Sequence, residues 1–246
     1  MSRIADLNVK IFADGADFDG MVKMAYNPLI QGFTTNPTLM RKAGVNDYET
    51  FARRVLAAIT DRPVSFEVFA DDFPNMAEQA RAIATWGPNV NVKIPVSTTK
   101  GQSSNELIRA LSSEGVTLNI TAIFTLDQVR GVASALDPST PAIVSVFAGR
   151  IADTGVDPIP HMRACKEILA SRPKAELLWA STRELLNIFH AEEAGCDIVT
   201  VPNEFLAKLN LIDKDLGEYS RETVQLFYRD ATAAAYQITT TRFAAE

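Results

Sequence analysis

Alternating strand and helix patterns predict an α/β fold, a (β/α)8 barrel of the TIM type. Short apolar runs alternate with segments of helical periodicity, which is typical of a parallel sheet with helical crossovers. Eight such units in 246 residues match the count and length of a barrel. A doubly wound open sheet is the alternative. However, residues 12–17, Phe-Ala-Asp-Gly-Ala-Asp, lack the Gly-rich phosphate fingerprint that this fold places after its first strand.

The predicted strands are short runs of mainly apolar residues, as expected for a parallel sheet buried on both faces. In chain order they are Val9–Asp14, Gly32–Thr35, Val64–Phe69, Val90–Pro95, Thr117–Phe124, Ala142–Phe147, Leu177–Ala180 and Asp197–Val201. Each run is followed by helical periodicity. Examples are Asp47–Ile59, Asn75–Trp86, Ser103–Ser113, Leu126–Ala135, Ile159–Ser171 and Leu185–Ala194.

Several helix starts carry recognisable capping sequences. Asn36-Pro37 offers an N-cap followed by proline at the first helical position. The segments Thr125–Gln128 and Ser181–Glu184 both fit a capping box, in which a hydroxyl is followed three residues later by Gln or Glu.

No linker, charge block or low-complexity segment suggests an internal boundary, so residues 1–246 are expected to form a single catalytic domain. After the eighth unit, Tyr219–Phe243 is predicted to be one further amphipathic helix. We expect this helix to close the barrel or to dock on a neighbouring subunit of a homo-oligomer.

Composition narrows the possible functions. The net charge of −6 disfavours nucleic acid and anionic membranes as main partners, although paired arginines could still bind a small anionic substrate. Two cysteines and two histidines are too few for a disulfide framework or a conventional metal site, so we expect no metal and no cofactor. The absence of a signal-like start and of any long apolar stretch predicts a cytoplasmic protein.

Lys93 is the most informative residue, because it lies alone in the apolar strand Asn91–Pro95. A lysine whose ammonium is poorly solvated can act as an amine nucleophile and form a Schiff base with a carbonyl substrate. The simpler interpretation is a lysine whose stem packs while its charge reaches water.

Polar side chains at the ends of the other strands favour the catalytic interpretation, because active groups of these barrels gather at the carboxyl ends of the strands. Glu67 lies between Phe66 and Val68, and a buried carboxylate needs a partner, which Lys93 on the adjacent strand can supply. Each residue also has an ordinary explanation, such as helix capping, backbone bonding or solvation. The strand-end set is Asp14, Asn36, Glu67, Lys93, Asn119, Thr121, Ser145, Arg150, Ser181 and Arg183.

Several of these strand ends resemble the transaldolase family of class I aldolases, and in particular its smaller transaldolases and fructose-6-phosphate aldolases. The resemblance extends from about Phe12 to Val201. It is carried by Gly-Phe-Thr-Thr-Asn-Pro-Thr-Leu (32–39), Val-Lys-Ile-Pro (92–95), Asn-Ile-Thr-Ala-Ile-Phe (119–124), Phe-Ala-Gly-Arg (147–150), Ala-Ser-Thr-Arg (180–183) and Ala-Gly-Cys-Asp (194–197). Position 15 departs from the family, because glycine stands where threonine or serine is more common after the aspartate.

The resemblance implies a role for each residue. Lys93 would form the Schiff base with a ketose phosphate, and Asp14 would take the proton of the C4 hydroxyl. Glu67 and Thr121 would hold a catalytic water, and Glu67 is expected to meet Lys93 through water or a hydroxyl rather than as a tight ion pair. Donors to the dihydroxyacetone fragment would be Asn36, Asn119 and Ser145, and the phosphate site would be Arg150, Ser181 and Arg183.

The leading hypothesis is therefore a transaldolase of the pentose phosphate pathway, which would transfer dihydroxyacetone between sugar phosphates. An aldolase that releases free dihydroxyacetone is the alternative within the family, but that branch resembles a pattern with glutamine where this chain has Glu67. A catalytically silent barrel that binds phosphosugars would need no lysine in its fourth strand. A metal-dependent barrel hydrolase would need histidines at strand ends, where neither His161 nor His190 falls.

Overall fold

The computed structural model of the protein describes residues 3–239, and it confirms the predicted barrel. Eight parallel strands close in sequence order, with β8 pairing back to β1. They are β1 Lys10–Asp14, β2 Ile30–Thr34, β3 Val64–Glu67, β4 Val90–Pro95, β5 Leu118–Ile123, β6 Ala142–Val146, β7 Ala175–Trp179 and β8 Ile198–Pro202. Each predicted strand end lies within two residues of the observed one.

The helices surround the strands on the outside of the barrel. They are α1 Phe18–Ala25, α2 Pro37–Lys42, α3 Tyr48–Ala58, α4 Phe73–Ala84, α5 Asn105–Ser113, α6 Leu126–Ala135, α7 Ala148–Ala152, α8 Pro158–Leu169, α9 Asn187–Glu193, α10 Asn203–Leu206 and α11 Leu216–Ala233. Short 3-10 turns cover Arg3–Asp6 and Leu209–Leu211.

Two of the three predicted caps are confirmed. The Asn36 side chain accepts from the backbone N–H of Leu39 at the start of α2, and Thr125–Gln128 forms a complete capping box at the start of α6. The predicted cap at Ser181–Glu184 is wrong. Ser181 instead has a left-handed backbone with φ of 65°, and α9 begins only at Asn187.

The barrel interior contains a small apolar cluster separate from the large core between strands and helices. Phe12, Ile143, Leu178 and Ile198 form this cluster, on β1, β6, β7 and β8. A Cβ atom on Gly32 would lie 2.5 Å from the Phe12 ring, so glycine on β2 gives that ring its space. Because side chains alternate along a strand, Phe12 and Asp14 share one face of β1, and the apolar cluster lies beneath the barrel mouth.

The C-terminal helix α11 contributes nothing to the core, since none of its residues is buried. It begins three residues before the predicted Tyr219 and ends at Ala233, so the prediction of helix for residues 234–239 is wrong; residues 240–243 of the prediction lie outside the described part of the chain. Among residues 3–239, no helix is both long and apolar enough to cross a membrane.

Candidate active site

The carboxyl ends of the strands surround an open cavity of about 410 Å³. The predicted site residues come together around it, with the exception of Asn119, because parallel strands bring their carboxyl ends to one face of a barrel. The predicted residues that line it are Asp14, Asn36, Glu67, Lys93, Thr121, Ser145, Arg150, Ser181 and Arg183.

Lys93 lies at the wall of this cavity with its side chain only 9% exposed. Its Nζ donates to the carbonyl oxygen of Thr35 at 2.9 Å and lies 3.4 Å from Oε2 of Glu67. The amine is therefore held by two acceptors rather than extended into solvent. The interpretation of Lys93 as a solvated lysine is wrong for this structure.

Glu67 and Lys93 are register partners on β3 and β4 and meet directly. The expectation that water or a hydroxyl would separate them is wrong, although 3.4 Å is longer than the 2.7–2.9 Å typical of a charge-assisted hydrogen bond. Burial raises the pKa of Glu67, and nearby Asp14 raises it further, while Lys93 acts in the opposite direction. The net effect is a carboxylate that holds a proton more readily than usual.

Asp14 is supported by a chain of two threonine hydroxyls that the sequence analysis did not identify. Thr34 Oγ1 donates to Asp14 Oδ1 at 2.7 Å and lies 2.5 Å from Thr200 Oγ1. Because the Thr34 proton goes to the carboxylate, the Thr200 hydroxyl must be the donor between the two threonines. Burial raises the pKa of Asp14, whereas Lys93 and the Thr34 bond lower it. Support for Asp14 thus comes from β2 and β8 rather than from position 15.

Thr121 offers a buried hydroxyl to the cavity. Within residues 3–239, its Oγ1 has no hydrogen-bond partner, which is uncommon for a buried polar atom. The next residue, Ala122, has a φ of 59° and lies where the β5–β6 register shifts. A non-glycine residue in this region is strained and is often found at functional sites.

The three predicted donors to the substrate differ in their positions. Asn36 uses its oxygen to cap α2, which leaves its amide NH₂ at the cavity wall. Ser145 lines the cavity and donates to Oδ1 of Asn119 at 2.7 Å. Asn119 is fully buried and does not line the cavity, and its Nδ2 donates to Ser65 Oγ at 3.0 Å. Asn119 therefore braces Ser145 from below.

Arg150, Ser181 and Arg183 lie together on the β6–β7 side of the mouth. The guanidinium of Arg150 lies over the Phe147 ring, with its carbon 5.0 Å from the centroid. Arg183 is already paired with Asp153, through Nη2–Oδ2 at 2.5 Å and Nε–Oδ1 at 3.2 Å.

Gly149 brings these two arginine-bearing segments together. A Cβ atom at this position would lie 1.6 Å from the Ser181 carbonyl oxygen, so no other residue allows the start of α7 to approach the end of β7 so closely. This contact places Arg150, one residue further along α7, beside the loop that carries Ser181 and Arg183.

These features define a class of protein: a (β/α)8 barrel whose mouth encloses a buried lysine, two carboxylates and an arginine pair. Within residues 3–239, no three His, Cys, Asp or Glu side chains are grouped to hold a metal ion. A family model described as "Transaldolase/Fructose-6-phosphate aldolase" matches residues 11–244. The chain belongs to this family of enzymes, as its motifs predict.

Curated relatives agree with this assignment over nearly their whole length. A protein of Listeria monocytogenes named probable transaldolase 2 is 35% identical over 218 residues, covering 87% of this chain and 95% of its own. The probable transaldolase of Dehalococcoides mccartyi is 36% identical, with 82% and 90% covered. That of Hyphomonas neptunium is 32% identical, with 94% and 100% covered.

Solved structures of low sequence identity share the fold. Dihydrodipicolinate synthase from Rhodopseudomonas palustris superposes with a TM-score of 0.55 at 16% identity, covering 91% of this chain and 79% of its own. KGPDC from Streptococcus mutans gives a TM-score of 0.53 at 10% identity, with 80% and 88% covered. At these identities the likeness concerns the barrel alone.

Proposed function

We propose that this protein is a transaldolase that carries a dihydroxyacetone unit on Lys93 as a Schiff base. The donor is a ketose phosphate, fructose 6-phosphate or sedoheptulose 7-phosphate, and the acceptor is an aldose phosphate, erythrose 4-phosphate or glyceraldehyde 3-phosphate. The observation that carries the proposal is the buried Nζ of Lys93, 3.4 Å from Glu67 in a cavity that Asp14 also lines. A single domain carries the whole reaction.

The first stage of the reaction forms the imine. The neutral Lys93 amine adds to the C2 carbonyl, and the resulting carbinolamine loses its hydroxyl as water. Glu67, whose pKa is raised by burial, takes a proton from the amine and returns one to the departing hydroxyl. Thr121, with a hydroxyl that has no partner within residues 3–239, holds the water involved.

The second stage breaks a carbon–carbon bond of the donor and forms a new one to the acceptor. Asp14 takes the C4 hydroxyl proton, the C3–C4 bond breaks, and its electron pair moves into the protonated imine to give an enamine. The aldehyde product then leaves. The enamine attacks the carbonyl carbon of the acceptor, Asp14 returns the proton to the new alkoxide, and water releases the product from Lys93. The nucleophile and the groups that exchange protons in this sequence are side chains of the protein, and water supplies the oxygen that releases the product.

The phosphate lies at the β6–β7 side of the mouth. Arg150 and Arg183 supply guanidinium donors, which suit bidentate contacts with a phosphate, and Ser181 adds a hydroxyl. Asp153 competes with the phosphate for Arg183, because the carboxylate occupies Nε and Nη2 of that side chain.

Borohydride reduction in the presence of fructose 6-phosphate tests the Schiff base. We expect a stable adduct, located on Lys93 by mass spectrometry of peptides. A protein that binds the sugar phosphate normally but gives no adduct would be a silent phosphosugar-binding barrel, and the proposal would be rejected.

An aldolase that releases free dihydroxyacetone is the second candidate, and Glu67 separates the two. A carboxylate at this position supports transfer, because the aldolase branch resembles a pattern with glutamine there. We expect Glu67→Gln to raise the share of fructose 6-phosphate cleaved without transfer, measured as free dihydroxyacetone against sedoheptulose 7-phosphate at fixed erythrose 4-phosphate. An unchanged product ratio would contradict this role for Glu67.

The protein is further proposed to be a cytoplasmic homo-oligomer serving the pentose phosphate pathway. The exposed side chains of α11 support association, because Val224, Phe227 and Tyr228 are each more than 60% exposed on a helix that joins no core. Replacing Phe227 by Glu should shift the mass measured by light scattering towards that of a monomer. An unchanged mass would exclude this surface.

A further inference from the structure

The hydrogen-bond ladder between β2 and β3 is broken beside Lys93. The two strands pair at Phe33–Val64 and Thr34–Ser65, and the Thr35 N–H donates to the Ser65 carbonyl at 3.3 Å. In a parallel ladder, the next bond runs from the Glu67 N–H to the Thr35 carbonyl. Here the Thr35 carbonyl instead accepts a hydrogen bond from Lys93 Nζ, and the Glu67 N–H donates to the hydroxyl of Tyr48.

The hydroxyl of Tyr48 takes the place of the missing strand partner. Its oxygen accepts from the Glu67 N–H at 2.7 Å and donates to the Glu67 carbonyl at 2.9 Å. One phenol thus satisfies both backbone groups of Glu67 that face β2. Such groups are costly to leave unpaired when they are buried.

The Tyr48 ring is well fixed for this task. It is the first residue of α3, whose N-cap Asp47 accepts from the Thr50 N–H. Edge contacts join the ring to Trp86 and Phe69, with centroids 5.6 and 4.4 Å away. Burial raises the pKa of Tyr48, so the phenol keeps the proton that it donates.

We propose that Tyr48 is a positioning residue for the Lys93–Glu67 pair. The lysine reaches from β4 across the end of β3 to the Thr35 carbonyl on the β2 side. It can do so because the Glu67 N–H donates to the Tyr48 hydroxyl, which leaves the Thr35 carbonyl available to Lys93. Tyr48 also fixes the Glu67 backbone, and with it the distance between carboxylate and amine. This inference rests on the proposed role of Lys93 as nucleophile.

Replacing Tyr48 by Phe keeps the ring and its contacts but removes the hydroxyl. The free Glu67 N–H then has the Thr35 carbonyl as its next ladder acceptor, where it competes with Lys93 Nζ. We expect imine formation to slow by about tenfold or more, and its pH profile to shift by about half a unit, because a displaced Glu67 carboxylate lies at a different distance from Lys93 Nζ. Binding of inorganic phosphate should change less than about twofold, since Arg150 and Arg183 do not contact Tyr48.

The experiment measures the initial rate of borohydride trapping with fructose 6-phosphate between pH 5 and 9, on full-length protein. Trp86→Phe is the packing control, because it weakens the aromatic cluster without touching the Tyr48 hydroxyl. Tyr26→Phe is the matched substitution at a side chain that is 84% exposed. Both controls should keep the parent pH profile, while Trp86→Phe lowers the thermal midpoint.

The outcomes distinguish failure of the Lys93 nucleophile assignment from failure of the Tyr48 inference. A parent protein that forms no adduct refutes the nucleophile, and the Tyr48 inference with it. A trapped parent whose Tyr48→Phe variant has the same rate and profile overturns only the role of Tyr48, as does a variant that behaves like Trp86→Phe.

Amide hydrogen exchange of the parent protein provides a test that does not depend on folding of the variant. The Glu67 amide should exchange as slowly as the Val68 amide, which is bonded to the Lys93 carbonyl at 3.1 Å. Exchange at Glu67 about a hundredfold faster than at Val68 would show that the Tyr48 bond does not persist, and would overturn the inference.

Discussion

The inside of the barrel differs between its two halves. On β3 to β5 the inward positions are polar from bottom to top, whereas on β6 to β8 and β1 an apolar layer lies directly below the polar residues of the mouth. The polar set is Ser65, Glu67, Asn91, Lys93, Asn119 and Thr121, and the apolar set is Phe12, Ile143, Leu178 and Ile198. Both sets are buried in the same closed ring of strands.

The difference shows how the barrel accommodates a buried lysine. Charged groups are costly in an apolar interior, and a lysine needs several acceptors nearby. The polar half provides the Glu67 carboxylate and the Thr35 carbonyl, and beneath them Asn119 links Ser65 to Ser145. The other half has the apolar cluster in its interior, with Asp14 and Ser145 above it at the cavity and the ion pair of Lys10 with Glu176 at the starts of β1 and β7. The polar half therefore holds the lysine and its acceptors, and the apolar cluster beneath Asp14 and Ser145 contributes stability.

Removal of Lys93 from the polar half should have the largest effect, and that effect should be on activity. We expect Lys93→Ala to lower turnover by about a thousandfold or more, because no other amine in the described cavity can form the imine. The fold should survive, since the substitution removes a buried charge rather than core volume. Turnover in the coupled assay with fructose 6-phosphate and erythrose 4-phosphate is the measurement. Turnover within tenfold of the parent would refute the nucleophile assignment.

A truncation in the apolar half should lower stability and leave the chemistry of Lys93 intact. Ile198→Ala removes a fully buried side chain of β8, and comparable core truncations cost about 2–5 kcal/mol in the free energy of unfolding. Urea unfolding should show this loss, while borohydride still traps an adduct on Lys93 at low temperature. If the adduct is lost although the protein remains folded, the two halves are not separable.

Loss of an arginine at the mouth of the cavity should have a smaller effect, which is confined to phosphorylated substrates. We expect Arg150→Ala to lower kcat/KM for fructose 6-phosphate by about 10–100-fold, the equivalent of one or two charge-assisted hydrogen bonds. Arg183 should compensate poorly, because Asp153 already occupies its guanidinium. Cleavage of fructose, the analogue of the substrate that carries no phosphate, serves as the control. An equal loss with that substrate would show that Arg150 does not act through phosphate.

Most of the site could be predicted because it follows from strand ends. Lys93 and Glu67 lie at the ends of runs with clear β patterns, and parallel closure then brings them together. Thr200 lies on β8 inside a predicted strand, so the same rule could have found it. Tyr48 could not be found in this way, since it lies at the start of α3 and reaches Glu67 from outside the barrel strands. The cap predicted at Ser181 fails for a similar reason.

Ser181 shows how tertiary packing overrides a local signal. Its sequence suits a capping box, but the backbone there is left-handed and its carbonyl oxygen lies against Gly149 of the neighbouring α7. A long-range approach of two segments, which no window of sequence displays, therefore determines the conformation. Sequence patterns predict elements well, whereas contacts between distant elements need the folded chain.

The smallest expected effect concerns the proton of Asp14, where the two halves meet. Burial raises its pKa in the folded protein, so ionisation opposes folding as the pH rises from the ordinary carboxyl range through the raised value. Asp14→Asn has no such proton, and its amide oxygen can still accept from Thr34. We therefore expect the variant to be more stable than the parent by about 1 kcal/mol at pH 8, with a gain that disappears near pH 4. Urea unfolding at both pH values measures the difference, with exposed Asp19→Asn as the control. A gain of equal size at both pH values would mean that burial of the Asp14 carboxylate carries no cost in the free energy of folding.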